Sequence, residues 1–169
     1  IKAHDIVINK HKLELLYLYE NKKFDLLIHK AKLLSIKNKY SVYLWNILGY
    51  AFFSQNKLKE AIECFQRVLD INPNYTEAYD NIGLIYSRNG AFDKAIENYE
   101  QALIINPNYP NSYNNIGVAL NHLGHFAKAT EKFKKAIKIN PQFSNAYNNM
   151  GISLANMMRF EEAIKSYKN

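Results

Sequence analysis

Gly49, Gly83, Gly117 and Gly151 recur at a constant spacing of 34, and no other feature limits the fold so severely. Pro73, Pro107 and Pro141 keep the same interval, as do Ala61, Ala95, Ala129 and Ala163. Aromatics join them in phase. Trp45, Tyr79, Tyr113 and Tyr147 each stand four positions before one of the glycines, and Phe65, Tyr99, Phe133 and Tyr167 each stand four after one of the alanines. A fixed period of this length marks a repeat architecture, in which each unit is one supersecondary element that must stack on its neighbours. The units run 42–75, 76–109, 110–143 and 144–169, the last stopping before its proline would appear.

Within the unit 76–109 the apolar spacing predicts two helices. Ala78, Tyr79, Ile82, Gly83 and Tyr86 recur at helical intervals, and Asn89-Gly90 then supplies residues suited to a left-handed cap. Ala95, Ile96, Tyr99, Ala102 and Leu103 continue as a second helix, which Pro107 stops because proline cannot extend the hydrogen-bond ladder. Pro110 fits the first turn of the next helix, where its missing N–H is no loss. Gly83 and Ala95 lack bulk where two helices approach, and Tyr79, Tyr86 and Tyr99 fill the space around them. One such hairpin cannot bury its apolar face alone, so the expected fold is all-α, an α-solenoid of stacked antiparallel helix pairs with a concave side.

An aromatic, a glycine and a second aromatic, followed by Ala, Phe or Tyr and a closing Pro within one such period, closely resemble the pattern of the tetratricopeptide repeat family. About three-quarters of the chain carries that motif. The resemblance implies a right-handed superhelix whose groove is lined by the first helix of each unit.

Residues 1–41 have no Gly or Pro to mark them. One period before Val42, a unit would run from Ile8 to Ser41, in which Phe24-Asp25 matches Phe92-Asp93. His11 takes the aromatic slot, Leu15 the glycine slot, Leu27 the small-alanine slot, Ala31 the large-aromatic slot and Lys39 the proline slot. Leu27 and Ala31 look like an exchange of small for large that conserves volume, while Leu15 beside Leu27 holds the helices further apart. Residues 1–41 are read as N-terminal helices forming a degenerate repeat, with an unrelated helical hairpin as the alternative.

On the first helices, the two residues after each aromatic are Asn46-Ile47, Asp80-Asn81, Asn114-Asn115 and Asn148-Asn149. Asparagine is a mediocre helix former, about 0.6 kcal/mol worse than alanine, so its place here has a cost. Asn81, Asn115 and Asn149 are expected to form a ladder along the groove, each amide able to pair with one peptide N–H and C=O. The ladder resembles the asparagine row in the repeats of O-linked N-acetylglucosamine transferase, which grips extended peptide backbone. Asp80, Asn114, Asn148, Asn46, Arg88 and His122 complete the candidate groove, and Tyr50, Glu77, Ser87, Asn111, Asn121, Asn145 and Asn156 vary from unit to unit as specificity positions would. The carboxylate clamp by which some members hold acidic chaperone tails needs Lys and Arg here. This chain offers Asn46, Tyr50, Asn81, Asn111 and Asn115 instead, which argues against that partner.

Composition adds limits. The chain holds 22 Asn, 18 Ile and 19 Lys against 3 Arg, the skew of an AT-rich genome, which discounts Asn and Lys abundance as functional signals. Of the net charge of +7, the segment 1–41 contributes +5, nine lysines against four acids. A solvated lysine surface accounts for that excess, and for Lys132, Lys134, Lys135 and Lys138, better than a nucleic acid or membrane site. An RNA-binding helical repeat is a minor alternative, since that related family uses a slightly longer period. The single Cys64 forms no internal bridge; it is expected to be partly exposed and unreactive, and a reducing, cytoplasmic location is the default. Ile1-Lys2-Ala3-His4-Asp5 lacks the apolar core of a secretion signal, and no apolar run reaches the roughly 20 residues of a membrane span.

His122 and His125 are separated by the helix break at Gly124 and have no third ligand, so no metal is expected. No nucleophile–base pair or phosphate loop stands out, so neither cofactor nor catalysis is expected. The leading reading is a non-catalytic scaffold that binds an extended peptide or protein segment in its concave groove. The alternative is the substrate-recognition arm of a larger enzyme such as a glycosyltransferase. Leu154, Met157, Phe160, Ile164 and Tyr167 in the last unit further predict self-association through that end or continuation into more repeats.

Overall fold

A computed structural model of the chain describes the backbone of residues 3–168 and the side chains of 11–168. Ile1 and Lys2, part of the stretch read above for a secretion signal, and Asn169 lie outside the described residues. Ten helices and no strand are found among the described residues, in two compact units, 1–73 and 74–169. None of these helices is long and apolar enough to cross a membrane.

The first unit holds α1 (Ala3–Glu20), α2 (Phe24–Lys37), α3 (Val42–Ser54) and α4 (Leu58–Ile71), each packed on the next. Leu27 and Ala31 of α2, the large and small residues in exchanged slots, are both buried, as is Leu15 of α1. His11 fills the aromatic slot incompletely. A half-open cavity of about 130 Å³ remains between His11 and Leu15 of α1, Leu34 of α2, and Tyr43 and Leu44 of α3. In α3 the corresponding Trp45 is half-buried, and its indole N–H donates to the carbonyl of Lys39 at 2.8 Å. Cys64 corrects the expected partial exposure: it is 5% exposed in α4. Burial, followed by Glu63, pushes its thiol up to about 12, which disfavours the nucleophilic thiolate.

The second unit holds α5 (Thr76–Arg88), α6 (Phe92–Ile105), α7 (Pro110–His122), α8 (Phe126–Ile139), α9 (Ser144–Asn156) and α10 (Phe160–Tyr167). The anticipated punctuation is in place: Pro110 is at the start of α7, and Gly90 and Gly124 adopt φ of +76° just beyond α5 and α7. Its core joins successive helix pairs through Ala95, Tyr99, Ile116, Leu120, Ala129 and Phe133. The glycine column is explained by close approach. A Cβ on Gly83 would lie 2.6 Å from the Tyr99 ring, and one on Gly117 would lie 2.5 Å from the Phe133 ring. Gly49 and Phe65 make the same pairing in the first unit.

Besides each helix packing on the next, α5 packs directly on α7 and α7 on α9. Among the described residues, no pairing of comparable extent joins the second helices α6, α8 and α10 to one another. The first helices therefore form a contiguous layer, and that layer carries the candidate site.

Candidate functional site

The candidate residues of the second unit lie on α5, α7 and α9, where intervals of three and four residues keep side chains on one face. They do not all point to solvent. Asp80 and Asn114 are buried, at 9% and 8% exposure, and Asn81, Asn115 and Asn149 are half-buried. Asn149 donates its amide to Asn114 Oδ1 at 3.0 Å, and Asn115 donates to the two oxygens of Asp80 at 3.3 and 3.4 Å. Each of these two asparagines thus reaches back to the first helix of the preceding repeat. Asn115 and Asn149, two members of the expected ladder, are staples between adjacent first helices. Their amide donors are engaged within the chain before any ligand arrives.

The remaining candidates divide. Asn148 and Arg88 are exposed on the layer. His122, also exposed, stacks on Phe92 with ring centroids 4.6 Å apart and planes 4° from parallel. Asn46 belongs to α3 in the first unit, where it is half-buried and its side-chain oxygen accepts no hydrogen bond among the described residues. No group of three metal-ligating side chains occurs among the described residues.

Two serines that sequence reasoning passed over complete the staples. Ser112 is fully buried and donates to Asp80 Oδ1 at 2.7 Å; Ser153 is fully buried and donates to Asn121 Oδ1 at 2.8 Å. The available signal was a polar residue in an apolar column, because Ser112 stands between Ala78 and Ala146, and Ser153 follows Ala51, Ile85 and Ala119. The aliphatic column Leu84, Val118 and Ile152 also went unremarked. It lies one turn along from the asparagines, with Leu84 40% and Ile152 42% exposed.

Asp80 is the electrostatic centre of the layer. Burial raises its pKa above the usual carboxylate range, the hydrogen bonds from Ser112 and Asn115 partly offset this, and Glu77 raises it further. Tyr99 beneath it is raised by its own burial and by the Asp80 charge.

The family model described as TPR repeat matches residues 49–90 and 88–124. Two models described as tetratricopeptide repeat match 110–143 and 132–165. Together the matches run from 49 to 165, well over half of the chain. The chain belongs to the tetratricopeptide repeat family. Solved structures with the same fold include a crystal structure of MamA, 24% identical with a TM-score of 0.79, covering 90% of this chain and 89% of that one. MamA from Desulfovibrio magneticus RS-1, from residue 41 to its end, is 16% identical with a TM-score of 0.82 and covers 95% of this chain and 90% of its own. These are likenesses of fold. No curated protein matches the chain by sequence. Tetratricopeptide repeats are protein-interaction modules, typically without catalytic activity, and this membership makes the chain a protein–protein interaction scaffold.

Proposed function

We propose that this tetratricopeptide repeat chain is a non-catalytic scaffold that holds an extended peptide or protein segment across the first helices of residues 74–169. One observation carries the reading: α5 packs on α7 and α7 on α9 in a contiguous layer that leaves polar side chains exposed in register, Glu77, Asn111 and Asn145 at one end and Arg88, His122 and Asn156 at the other. A segment crossing the layer meets polar side chains at the same two positions in every repeat, and their change from Glu77 to Asn111 and Asn145, and from Arg88 to His122 and Asn156, lets each repeat read a different part of an extended chain. The test is affinity capture with the folded protein, followed by titration of the retained partner's shortest binding peptide against wild type and Arg88→Ala/His122→Ala. A loss of affinity is expected in a double variant that still unfolds cooperatively, its melting temperature lowered no further than loss of the His122–Phe92 stack accounts for; unchanged affinity overturns the assignment of this face.

Self-association through the last helix pair belongs to the same proposal. Phe160, Ile164 and Tyr167 of α10 are 61%, 55% and 49% exposed, whereas Leu154 is buried. Concentration-dependent association in light scattering is expected, and a strict monomer at high concentration overturns it.

A further inference from the structure

With amides of the asparagine row engaged between helices, the column beside it offers apolar area on the layer. Leu84, Val118 and Ile152 occupy one slot in three successive repeats. Leu84 and Ile152 are 40% and 42% exposed, while Val118 is half-buried and packs against the core. Apolar side chains aligned on helices in direct contact make a row that an aliphatic partner can cover. We propose that this row receives the aliphatic side chains of an extended segment that carries one at every third position, with a basic residue alongside at Glu77. The inference rests on the peptide-binding reading above and specifies its partner.

The period follows from two spacings. Packed helices stand about 8–10 Å apart. A polyproline II segment has three residues per turn and rises about 3.1 Å per residue, so like-facing side chains recur about every 9.3 Å. In a β-strand, alternate residues recur at about 6.7 Å, too short to meet one row position per repeat. The sign of the charge follows from the N-terminal end of the face, where Glu77 is exposed and the charged group that acts on Asp80 is Glu77, of the same sign. A Lys or Arg from the partner is favoured beside these two acidic side chains.

Three labelled synthetic peptides, each with lysines for solubility, test the proposal by fluorescence anisotropy on the whole chain. One has a proline-rich backbone with leucine at every third position; the second has leucine at every second position; the third is an amphipathic helix-former. The first is expected to bind at least about tenfold more tightly than the others. Leu84→Gln and Ile152→Gln should each weaken it severalfold with unchanged thermal melting, because both side chains are exposed and glutamine is a good helix former. A preference for the second peptide overturns the period while leaving peptide binding on this face intact. Preference for the helix overturns the extended partner itself. Binding of none of the three, or binding indifferent to both substitutions, overturns the apolar row, and the captured partner's response to Arg88→Ala/His122→Ala then decides separately whether the face binds peptide at all.

Discussion

Asn149 donates to Asn114 at 3.0 Å across two consecutive first helices, and Asn115 makes the equivalent reach to Asp80. Residues that look like ligand contacts by position are thus part of what holds the repeats in register. Asn115→Ala is expected to lower the stability of the chain by about 1–2 kcal/mol, since it removes a hydrogen bond and leaves a buried carboxylate short of a donor. Urea denaturation measures it, and a loss of ligand affinity with no change in stability would assign the asparagine to the ligand instead.

Asp80 makes stability depend on pH in a defined direction. Its pKa is raised in the folded state, so the folded chain holds its proton more tightly than the unfolded chain does. Stability from this group is fully present below the ordinary carboxylate pKa of about 3.9 and is lost as pH rises through the raised folded value. Asp80→Asn, which copies Asn114 one repeat on, is expected to remove that component and stabilise the chain at neutral pH relative to wild type. Denaturant midpoints for both proteins across the acid-to-neutral range check this; parallel pH profiles would exclude Asp80 as the source.

At Gly117 a methyl group would meet the Phe133 ring at 2.5 Å. Alanine contributes about 1 kcal/mol of helix propensity over glycine, but overpacking costs about 1–3 kcal/mol. Gly117→Ala is therefore expected to be net destabilising by about 1 kcal/mol, and Phe133→Leu in the same chain should reverse part of the loss by relieving the contact. A double-mutant cycle from denaturation curves reads the coupling.

Cys64, 5% exposed and raised to about 12, should resist alkylation in the folded chain at neutral pH and react promptly once the chain is unfolded. Mass spectrometry with iodoacetamide, with and without denaturant, gives the comparison. Fast modification of the native chain would mean that the first unit opens readily.

The cavity beside His11 is expected to accept a larger ring. His11→Tyr restores the aromatic of the other repeats and should stabilise the first unit by about 0.5–2 kcal/mol by filling part of the 130 Å³. A raised melting temperature is the expected reading; a lowered one would show that the side chain cannot enter.

The repeat frame was legible because each of its columns has a local or nearest-neighbour cause. Pro107 cannot extend the hydrogen-bond ladder of the helix before it, and Gly83 pairs with Tyr99 in the second helix of the same hairpin. The candidate site was legible only as a set of positions. Whether Asn115 faces a ligand or Asp80 depends on how closely two first helices from successive repeats pack, a distance that no residue type encodes alone. Cys64 was misjudged for the same reason: its counterparts Asn98, Lys132 and Ser166 suggest an exposed slot, yet packing buries the sulfur.

By itself, then, the sequence determined the period, the helix pairs and the family, since these follow from backbone chemistry and from small residues placed opposite rings. Only the tertiary structure decided which polar side chains remain available to a partner. A buried amide or carboxylate takes whatever hydrogen bond the neighbouring helix offers because leaving it unpaired costs about 1–3 kcal/mol, and that necessity turned Asn115 and Asn149 inward and left Leu84 and Ile152 at the surface.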